Sequence, residues 1–487
     1  MLLSYETAVA RMYALGHELA DTPTHKFDLA HMRVLLGALN HPERKFPGVL
    51  IAGTNGKGST AATLASILSA SGLRTGLYTS PHLVRINERI RIGGDAISDT
   101  NFALLHDVVD RTAERLVEEG ELPWHPSFFE MLTAIAFEYF AQNKVEIAVL
   151  EVGMGGRLDA TNVIEPRVSV ITDIALDHQK FLGNTVTEIA REKAGIIRPG
   201  GVVVTLPQLP QANDVIGNTI LELGAQAVSA VPYVPPVSPA SAEYLESRAK
   251  EPAAERRRNA AHGVSRGSEP QGDQAPAGRQ KDSPTDTRLI SRYPLQVMGK
   301  QILVETLLVG RHQLRNIALA IATAEVLSHQ GFAITPEAIE RGIRETRWPG
   351  RFQIKPSANG APEWVFDVAH NPAGAWALRS TLSACHEDRP LTFVFGAMRD
   401  KAIGEIAEIL FPLAVRVIAT RADNPRSATP DEIRQAAART AADIEDATNV
   451  ASALQLAGSL AGPQGVVVIT GSIYIVGEAM RILGVRV

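Results

Sequence analysis

The sequence predicts an α/β protein of two domains. The N-terminal domain is expected to have a P-loop-like, mostly parallel sheet with helices on both faces, and the smaller C-terminal domain a Rossmann-like α/β fold. Short apolar runs alternate with stretches of helical spacing along most of the 487 residues, which is typical of repeated strand–helix–strand units. Polar or glycine-rich segments directly follow several of these runs, at the edge where parallel sheets bind ligands.

Nine apolar runs are predicted to be strands. The first run, Phe46–Ala52, ends at Gly53, and helical spacing then extends from Ser59 to Ser71, so this region is expected to form a strand, a loop and a helix. Helices between successive strands favour parallel pairing. The other predicted strands are Leu73–Tyr78, Val145–Val149, Val168–Ile174, Val202–Leu206, Trp364–Ala369, Leu391–Phe395, Val415–Thr420 and Val466–Thr470.

A short motif separates the two series of strands. The segment Arg347–Arg351 reads Arg-Trp-Pro-Gly-Arg, in which the proline restricts the residue before it and the glycine lets the chain turn. We therefore predict an N-terminal domain over residues 1–346, a linker over 347–353 and a C-terminal domain over 354–487.

One stretch of the N-terminal domain has the composition of a disordered segment. Residues 247–287 contain Val264 as their only large aliphatic side chain. Such a segment buries too little apolar surface to offset the entropy of ordering it, so we predict a disordered insertion. The alternative is an arginine-rich binding arm around Arg256–Arg258, which the interleaved acidic residues disfavour.

Charge and composition exclude several classes of protein. The net charge of -5 offers no bulk positive field for nucleic acid, so a bound nucleotide is expected to be a small molecule. Cys385 is the only cysteine, which rules out an intrachain disulfide and a cysteine-based zinc site. No apolar run approaches the roughly 18 residues that span a membrane, and the first residues lack a signal-peptide pattern. We expect a cytoplasmic monomer without membrane or nucleic-acid partners.

The segment Ala52–Thr60 has the character of a phosphate-binding loop. Its glycines let backbone N–H groups surround phosphate oxygens, and the following helix adds the positive end of its dipole. A standard P-loop places Ser or Thr directly after the lysine, whereas Gly58 stands there in this chain. The alternative is a tight strand–helix turn that binds nothing. The candidate ATP-binding residues of the loop are Thr54, Asn55, Gly56, Lys57, Gly58, Ser59 and Thr60.

Four polar side chains follow strand ends of the first series. Ser59, Ser80, Glu151 and His178 are all expected at one edge of one sheet, where a carboxylate suits magnesium. Each residue alone has an ordinary structural explanation, but their coincidence favours a shared metal–nucleotide site. Lys193 lies on a predicted helix, and composition alone assigns it to the solvated surface.

The second series also presents polar residues at its strand ends. Because a short linker joins the two sheets, the simplest geometry is an interdomain cleft that closes on its substrates. The residues concerned are the segment Asp367–Pro372, Asp400 and Lys401, Asp423 and Asn424, and Gly471 and Ser472.

Together these motifs resemble the folylpolyglutamate synthase/dihydrofolate synthase family of the ATP-dependent Mur ligase superfamily. Each motif alone is weak, but their order is highly specific, and the resemblance covers nearly the whole chain except the predicted insertion. The motifs are Gly53–Thr60, Ser80–Arg89, Phe129–Glu130, Glu151–Asn162, Asp177–His178, Glu192–Ile196, Gly310–Gln313 with Asn316, Pro349–Arg351 and Asp367–Pro372.

The resemblance implies an ATP-dependent amide ligase. ATP phosphorylates a substrate carboxylate to an acyl phosphate, and the amine of L-glutamate attacks it to give the amide, ADP and phosphate. Phosphorylation supplies the leaving group that a carboxylate lacks. The two negatively charged reactants must meet, and magnesium, as one or two ions, together with Lys57 can screen them.

The resemblance also implies roles for individual residues. Lys193 looks like a carbamylated lysine, a modification that turns a cation into a carboxylate-like ligand. Asp177 looks like a residue that contacts the metal ligands and not the metal itself. The implied magnesium ligands are Ser59, Ser80, Glu151, His178 and Lys193, the further nucleotide contacts are Asn316, Arg351 and Asp367, and the implied catalytic residues are Lys57, Lys193 and His370.

The substrate pocket follows from the same resemblance. Phe129 offers an aromatic face for a pterin and Glu130 a carboxylate for its amino group, although core packing also explains Phe129. The other residues assigned to substrate are Asp28, with the segment that runs to His31, Gly155, Gly156, Arg157 and Ser472.

Several activities remain open at this point. The favoured one is a bifunctional dihydrofolate synthase/folylpolyglutamate synthase acting on dihydropteroate and reduced folates, and the second is folylpolyglutamate synthase activity alone. A cell-wall Mur ligase is disfavoured because no separate nucleotide-sugar domain precedes Gly53. A nucleotide-binding regulator is disfavoured because the candidate acid, metal and phosphate positions are all present.

Overall fold

The computed structural model describes residues 3–16, 29–235, 290–358, 360–440 and 442–487. Asp28 and the predicted insertion over 247–287 lie outside the described residues. Within these ranges, no helix combines the length and apolar character needed to cross a membrane.

The first sheet has eight strands in the order β4-β3-β2-β5-β1-β6-β7-β8. Six of them, from β2 to β8 in that order, are parallel, and β3 and β4 form an antiparallel edge. The strands are β1 Gly48–Ala52, β2 Thr75–Tyr78, β3 Ile90–Ile92, β4 Asp95–Ala96, β5 Ile147–Glu151, β6 Pro166–Ile171, β7 Val202–Thr205 and β8 Gln226–Ser229.

The second sheet has six strands in the order β11-β12-β16-β13-β14-β15, and a separate two-stranded hairpin, β9–β10, precedes it in the chain. Strand β11 is antiparallel to its neighbour and the others are parallel. The strands are β9 Ser291–Val297, β10 Lys300–Thr306, β11 Gln353–Lys355, β12 Glu363–Phe366, β13 Leu391–Phe395, β14 Ala414–Ala419, β15 Ile444–Asp446 and β16 Val466–Thr470.

The helices cover both faces of the sheets. Many begin at a side chain that accepts a backbone N–H of the first turn, such as Ser127, Thr185 and Asn371. In chain order they are α1 Tyr5–Ala14, α2 Leu29–Ala38, α3 Lys57–Ala70, α4 Asp99–Glu118, α5 Phe128–Gln142, α6 Gln179–Leu182, α7 Val186–Ala194, α8 Pro210–Glu222, α9 Arg311–His329, α10 Pro336–Glu345, α11 Pro372–Cys385, α12 Ile403–Leu410, α13 Pro430–Ala436, α14 Val450–Ala461 and α15 Ile473–Ile482.

Strand β1 shows how the first sheet is buried. Its side chains alternate between two hydrophobic cores: Leu50 packs in the core on one face, and Val49 and Ile51 pack in the core on the other. Both faces are therefore covered, and the predicted fold class, a mostly parallel sheet with helices on both faces followed by a smaller α/β domain, is confirmed.

Candidate active site

The carboxyl ends of four neighbouring parallel strands bring the predicted N-terminal site residues together. Strand β1 lies between β5 and β6, and β2 pairs with β5. The segments that follow these strands, carrying the phosphate-binding loop, Ser80, Glu151 and His178, therefore leave one edge of the sheet side by side. This is the arrangement that the strand-end residues predicted.

The loop between β1 and α3 is anchored to the segment that follows β6. The N–H groups of Thr54 and Asn55 donate to the Asp173 carbonyl at 2.9 and 3.1 Å, and Thr54 Oγ1 donates to the Ala175 carbonyl at 2.9 Å. The first turn of α3 leaves backbone N–H groups without partners inside the helix. Thr60 Oγ1 is buried and finds no partner among the residues that the structure describes. These donors suit a phosphate chain.

Gly56 must be glycine for two reasons. Its φ of +87° lies in the left-handed region, and an added Cβ would stand 2.2 Å from Asn316 Oδ1. Asn316, on α9, is buried and donates to Gln313 Oε1 at 2.9 Å. The predicted nucleotide residue Asn316 therefore contacts the phosphate-binding loop, although it lies 260 residues further along the chain.

Lys57 stands at the centre of the charged groups. Its ammonium Nζ lies 3.4 Å from the Thr54 carbonyl. Burial is the main cause that lowers the pKa values of His178 and Lys193, and the positive charge of Lys57 lowers them further. Burial raises the pKa of Glu151, and the charge of Lys57 partly offsets this rise. Three predicted metal-site residues, from β5, the loop after β6 and α7, therefore lie close enough to Lys57 for its charge to affect them.

Glu151, the last residue of β5, is a buried carboxylate with few partners. It is 5% exposed, and Oε2 accepts the Ser80 N–H at 3.2 Å. Burial raises the pKa of Glu151, against the opposing charges of Lys57 and Arg351. A carboxylate held in this environment gains from a bound cation.

Lys193 is not a surface residue, and the assignment from composition alone is wrong. It is 4% exposed, and its Nζ donates to the Gly53 carbonyl of the phosphate-binding loop at 2.7 Å. Burial, together with the charge of Lys57, lowers the pKa of Lys193 to about 7. A neutral amine, the form that reacts with carbon dioxide, is therefore accessible at neutral pH.

The glycines assigned to substrate pack against the helix that carries Lys193. A Cβ added at Gly156 would lie 2.7 Å from the Glu192 carbonyl and 3.1 Å from Lys193 Cα. Arg157 donates its N–H to the same carbonyl at 2.8 Å and forms an ion pair with the Glu192 side chain at 2.9 Å. These contacts explain Gly156 and Arg157 by the close approach of α7, and their substrate role stays a prediction.

His178 and Asp177 follow β6 and differ in environment. His178 Nδ1 is buried and has no partner within the described ranges, and burial lowers the pKa of His178 to about 4, so the ring stays neutral. Burial by itself raises the pKa of Asp177, but the His370 ring and the Lys401 ammonium outweigh it and hold this pKa below its usual range.

Asp177 joins the two domains. Its carboxylate accepts Lys401 Nζ at 2.7 Å and Asn371 Nδ2 at 3.2 Å, and His370 Nε2 lies 3.5 Å away. Asn371 Nδ2 also donates to Asn55 Oδ1 of the phosphate-binding loop at 3.0 Å. The predicted catalytic residue His370 is thereby placed beside the N-terminal site.

Two further predicted nucleotide residues lie where the linker enters the second domain. The Asp367 carboxylate accepts the N–H groups of Ala369 and Phe352, each at 2.9 Å. Burial lowers the pKa of Arg351, against the charges of Asp367 and Glu151, so Arg351 lies between carboxylates of both domains.

The predicted pterin residues lie at the start of α5. Phe129 packs against Gly153, where an added Cβ would lie 2.5 Å from the ring, and against Tyr78, with ring centroids 6.0 Å apart. Glu130 caps its own helix, because Oε2 accepts the N–H of Ser127 at 2.8 Å. Its Oε1 lies 3.9 Å from His31 Nδ1. Local packing and capping account for both residues, so their pterin role stays a prediction.

A cleft of about 290 Å³ opens between the domains. It lies beside Asp177 and His178, and Arg399, Lys401 and Arg426 line its C-terminal side. Arg426 forms an ion pair with Asp400 at 2.8 Å. Ser472, assigned to substrate from the sequence, is buried at the start of α15 and accepts the Tyr474 N–H at 3.2 Å.

The side chains fit magnesium in part. In the described part of the chain, no three His, Cys, Asp or Glu side chains form a ready metal cluster. The buried Glu151 carboxylate and the unpartnered Nδ1 of His178 are nevertheless suitable donors, and the remaining predicted ligands are two serines and a modified lysine.

Sequence reasoning missed several residues of the cleft. Asn371 belongs to a recognised motif, but its contact with Asn55 depends on how the domains dock. Arg399 and Arg426 follow strands of the second sheet, close to Asp400 and Asn424, which the sequence analysis placed at strand ends. Their position after a strand could have identified them as cleft residues.

A phosphate-binding loop at the edge of one sheet, facing a second α/β domain across a charged cleft, defines a nucleotide-dependent ligase of the Mur type. Residues 350–473 match the family model described as Mur ligase, glutamate ligase domain.

The full-length comparisons identify the family. The dihydrofolate synthase/folylpolyglutamate synthase of Bacillus subtilis is 32% identical over 93% of this chain and 94% of that protein, and the folylpolyglutamate synthase of Lacticaseibacillus casei is 32% identical over 99% of both. The Mycobacterium tuberculosis folylpolyglutamate synthase complexed with ADP and AMPPCP superposes with a TM-score of 0.76 at 29% identity, covering 99% of both chains. The chain belongs to the folylpolyglutamate synthase/dihydrofolate synthase family.

Proposed function

We propose that the protein adds L-glutamate to dihydropteroate and to the γ-carboxylate of reduced folates, through an acyl phosphate formed from ATP. The observation that carries this proposal is that Lys57 lies close enough to Glu151, His178 and Lys193 for its charge to influence all three, and that His178 also lines the cleft between the domains. This arrangement suits the meeting of a phosphate and a carboxylate.

The chain's own residues account for the charge requirements of the reaction. Lys57 and the start of α3 bind the phosphates, and Asn316, Arg351 and Asp367 hold the nucleotide between loop and linker. Ser59, Ser80, Glu151, His178 and carbamylated Lys193 are the proposed magnesium ligands. When bound, magnesium supplies positive charge that lets the negatively charged reactants approach. His370, held by Asp177, lies where it can orient the phosphoryl group.

The cleft beside Asp177 fits the acceptor amino acid. L-glutamate carries two carboxylates and must present a neutral amine to the acyl phosphate. Arg399, Lys401 and Arg426 line the C-terminal side, where each is paired with one carboxylate, of Glu432, Asp177 and Asp400 respectively, and keeps further N–H groups for a carboxylate of glutamate. We propose that these residues and Ser472 bind glutamate. We propose that the protein acts as a monomer and that the reaction takes place in the cytoplasm.

An Arg426→Ala variant tests the glutamate site. We expect its KM for L-glutamate to rise at least about tenfold, because a charged hydrogen-bond donor to a carboxylate is lost, while the KM for ATP stays within about twofold. Arg416→Ala is the matched control, because Arg416 also has one carboxylate partner, Glu445 at 2.9 Å, but does not line the cleft. Equal effects of the two substitutions on the KM for glutamate would contradict the assignment.

The activity itself is tested by ADP release from the purified full chain with ATP, magnesium and L-glutamate. We expect turnover with 7,8-dihydropteroate and with tetrahydrofolate, and none when glutamate or the pterin is omitted. Turnover with tetrahydrofolate only would favour folylpolyglutamate synthase activity alone. Turnover only with a nucleotide-linked muramyl peptide would favour a cell-wall ligase, and nucleotide binding without turnover a regulator.

A further inference from the structure

The indole of Trp348 lies at the junction between the linker and the phosphate site. The residue is half-buried, packs against the hydrophobic core around α3, and lines a small cleft with Arg351 of the linker and Ile473 of α15. Trp348 therefore contacts the N-terminal domain, while the chain enters the second sheet a few residues later, at Gln353.

The indole occupies space next to the residue that follows the loop lysine. A Cβ added at Gly58 would lie 3.0 Å from Trp348 Cζ2, 3.1 Å from Trp348 Nε1 and 3.3 Å from Glu151 Oε2. In a standard P-loop this position holds a Ser or Thr whose hydroxyl faces the phosphates and their metal. Here the side chain is missing, and an indole N–H stands in its place.

This N–H has no acceptor in the described part of the chain. Trp348 Nε1 is buried, and no hydrogen-bond partner for it exists among the residues of the described ranges. A buried donor without a partner lowers stability, so such groups usually meet an acceptor in the functional state. The indole nitrogen only donates and cannot ligate a metal, so what it binds must be a hydrogen-bond acceptor, and the oxygens of a phosphate are strong ones.

We propose that Trp348 binds the nucleotide directly, its indole N–H donating a hydrogen bond to an oxygen of the terminal phosphate of ATP. This inference rests on the proposed function. The position of the N–H beside Gly58 and Glu151 puts it on the side of the site where metal and terminal phosphate meet. Because Trp348 belongs to the linker, the bond also makes the position of the linker depend on the terminal phosphate.

The test compares two nucleotides on the full-length protein by titration calorimetry in the presence of magnesium. Trp348→Phe keeps an aromatic ring and removes the N–H. We expect the affinity for AMPPCP, which carries a third phosphoryl group in the γ position, to fall about tenfold. The affinity for ADP, which lacks this group, is expected to stay within about twofold. Trp376→Phe is the matched control, because Trp376 is 59% exposed on α11 and does not line either cleft.

Equal weakening of both nucleotides would show a packing role only, and unchanged affinity for both would show no role; either result overturns the proposal. If Trp348→Phe does not fold, 5-fluorotryptophan labelling of the unsubstituted protein replaces it. The chain has four tryptophans, so single Phe substitutions at Trp124, Trp364 and Trp376 assign the fourth fluorine resonance to Trp348. That resonance is expected to shift with AMPPCP well beyond its shift with ADP, and equal shifts overturn the proposal. Failure of the unsubstituted protein to bind AMPPCP would instead refute the proposed function.

Discussion

A Lys57→Ala variant is expected to fold normally and to lose ATP-dependent ligation by about 10³-fold or more, because one positioned charge on a transferring phosphoryl group has an effect of this size. The Lys57 ammonium lies near one backbone oxygen, the Thr54 carbonyl, at 3.4 Å, so its removal takes little from the fold. Its charge acts instead on Glu151, His178 and Lys193, the groups proposed to hold the metal.

The ligation rate and the melting temperature are measured on the same preparations. The control is Lys45→Ala, because Lys45 is an exposed lysine that precedes β1. We expect the control to match the unsubstituted protein in both. Near-normal turnover by a folded Lys57→Ala protein would remove the basis for the nucleotide site. A loss of activity together with a large drop in melting temperature would instead assign Lys57 a structural role.

The residues that local sequence could predict are those at strand ends. A parallel strand that ends in a glycine loop, as at Gly53, or in a carboxylate, as at Glu151, identifies its edge of the sheet without knowledge of the rest of the fold. The placement of Ser80 against Glu151 follows once β2 and β5 are neighbours. For this reason the phosphate-binding loop and its immediate neighbours could be predicted from the sequence.

Contacts that depend on how the two domains dock could not be predicted from the sequence. Asn371 reaches Asn55 across 316 positions of the chain, and Asp177 meets Lys401 across 224. No periodicity encodes such pairs, because the relative position of two domains is set by their whole surfaces. The burial of Lys193, by contrast, carried a local signal: it lies four residues after Ile189 and three after Ala190 on α7, so helical spacing places it on the buried face.

The hairpin β9–β10 was missed although the sequence carried a signal. Tyr293 and Val297 on one strand and Ile302 and Val304 on the other are buried at alternate or near-alternate positions, and Gly299 forms the turn with a φ of +77°. Such alternation around a glycine indicates a hairpin. The predicted alternation of strands and helices accounts only for parallel units, and this antiparallel pair lies outside the two main sheets.

The second large effect concerns Lys193. Substitution by Ala is expected to reduce ligation by about 10²-fold, the upper end of the range for loss of a residue that supports a metal site. If the lysine is carbamylated, its neutral amine attacks carbon dioxide, a C–N bond forms, and a proton is released to give a carbamate. The structure favours this reaction, because burial lowers the pKa of Lys193 to about 7, and the carbamate keeps one N–H for the Gly53 carbonyl.

The carbamate explanation differs from that of a plain lysine in two variants. Lys193→Arg is expected to be inactive, because a guanidinium forms no such carbamate and keeps its positive charge beside the metal. Lys193→Ala is expected to regain part of its activity when a small carboxylic acid is added, since the acid can supply the missing oxygens. Lys45→Arg is the control for the general effect of replacing a lysine by an arginine, because Lys45 is exposed. If Lys193 merely pairs with a phosphate, the Arg variant keeps appreciable activity and added acids do nothing.

The pH dependence of carbamate formation gives a further criterion for Lys193. The lowered pKa increases the neutral fraction of the amine between about pH 6 and pH 8, whereas a lysine with an ordinary pKa near 10.4 stays almost fully charged there. When the concentration of dissolved carbon dioxide is held constant, recovery of activity after its removal is therefore expected to speed up as the pH rises through 7. An active Lys193→Arg enzyme, or activity indifferent to carbon dioxide across that range, would reject the carbamate and leave Lys193 as a buried cation near the phosphates.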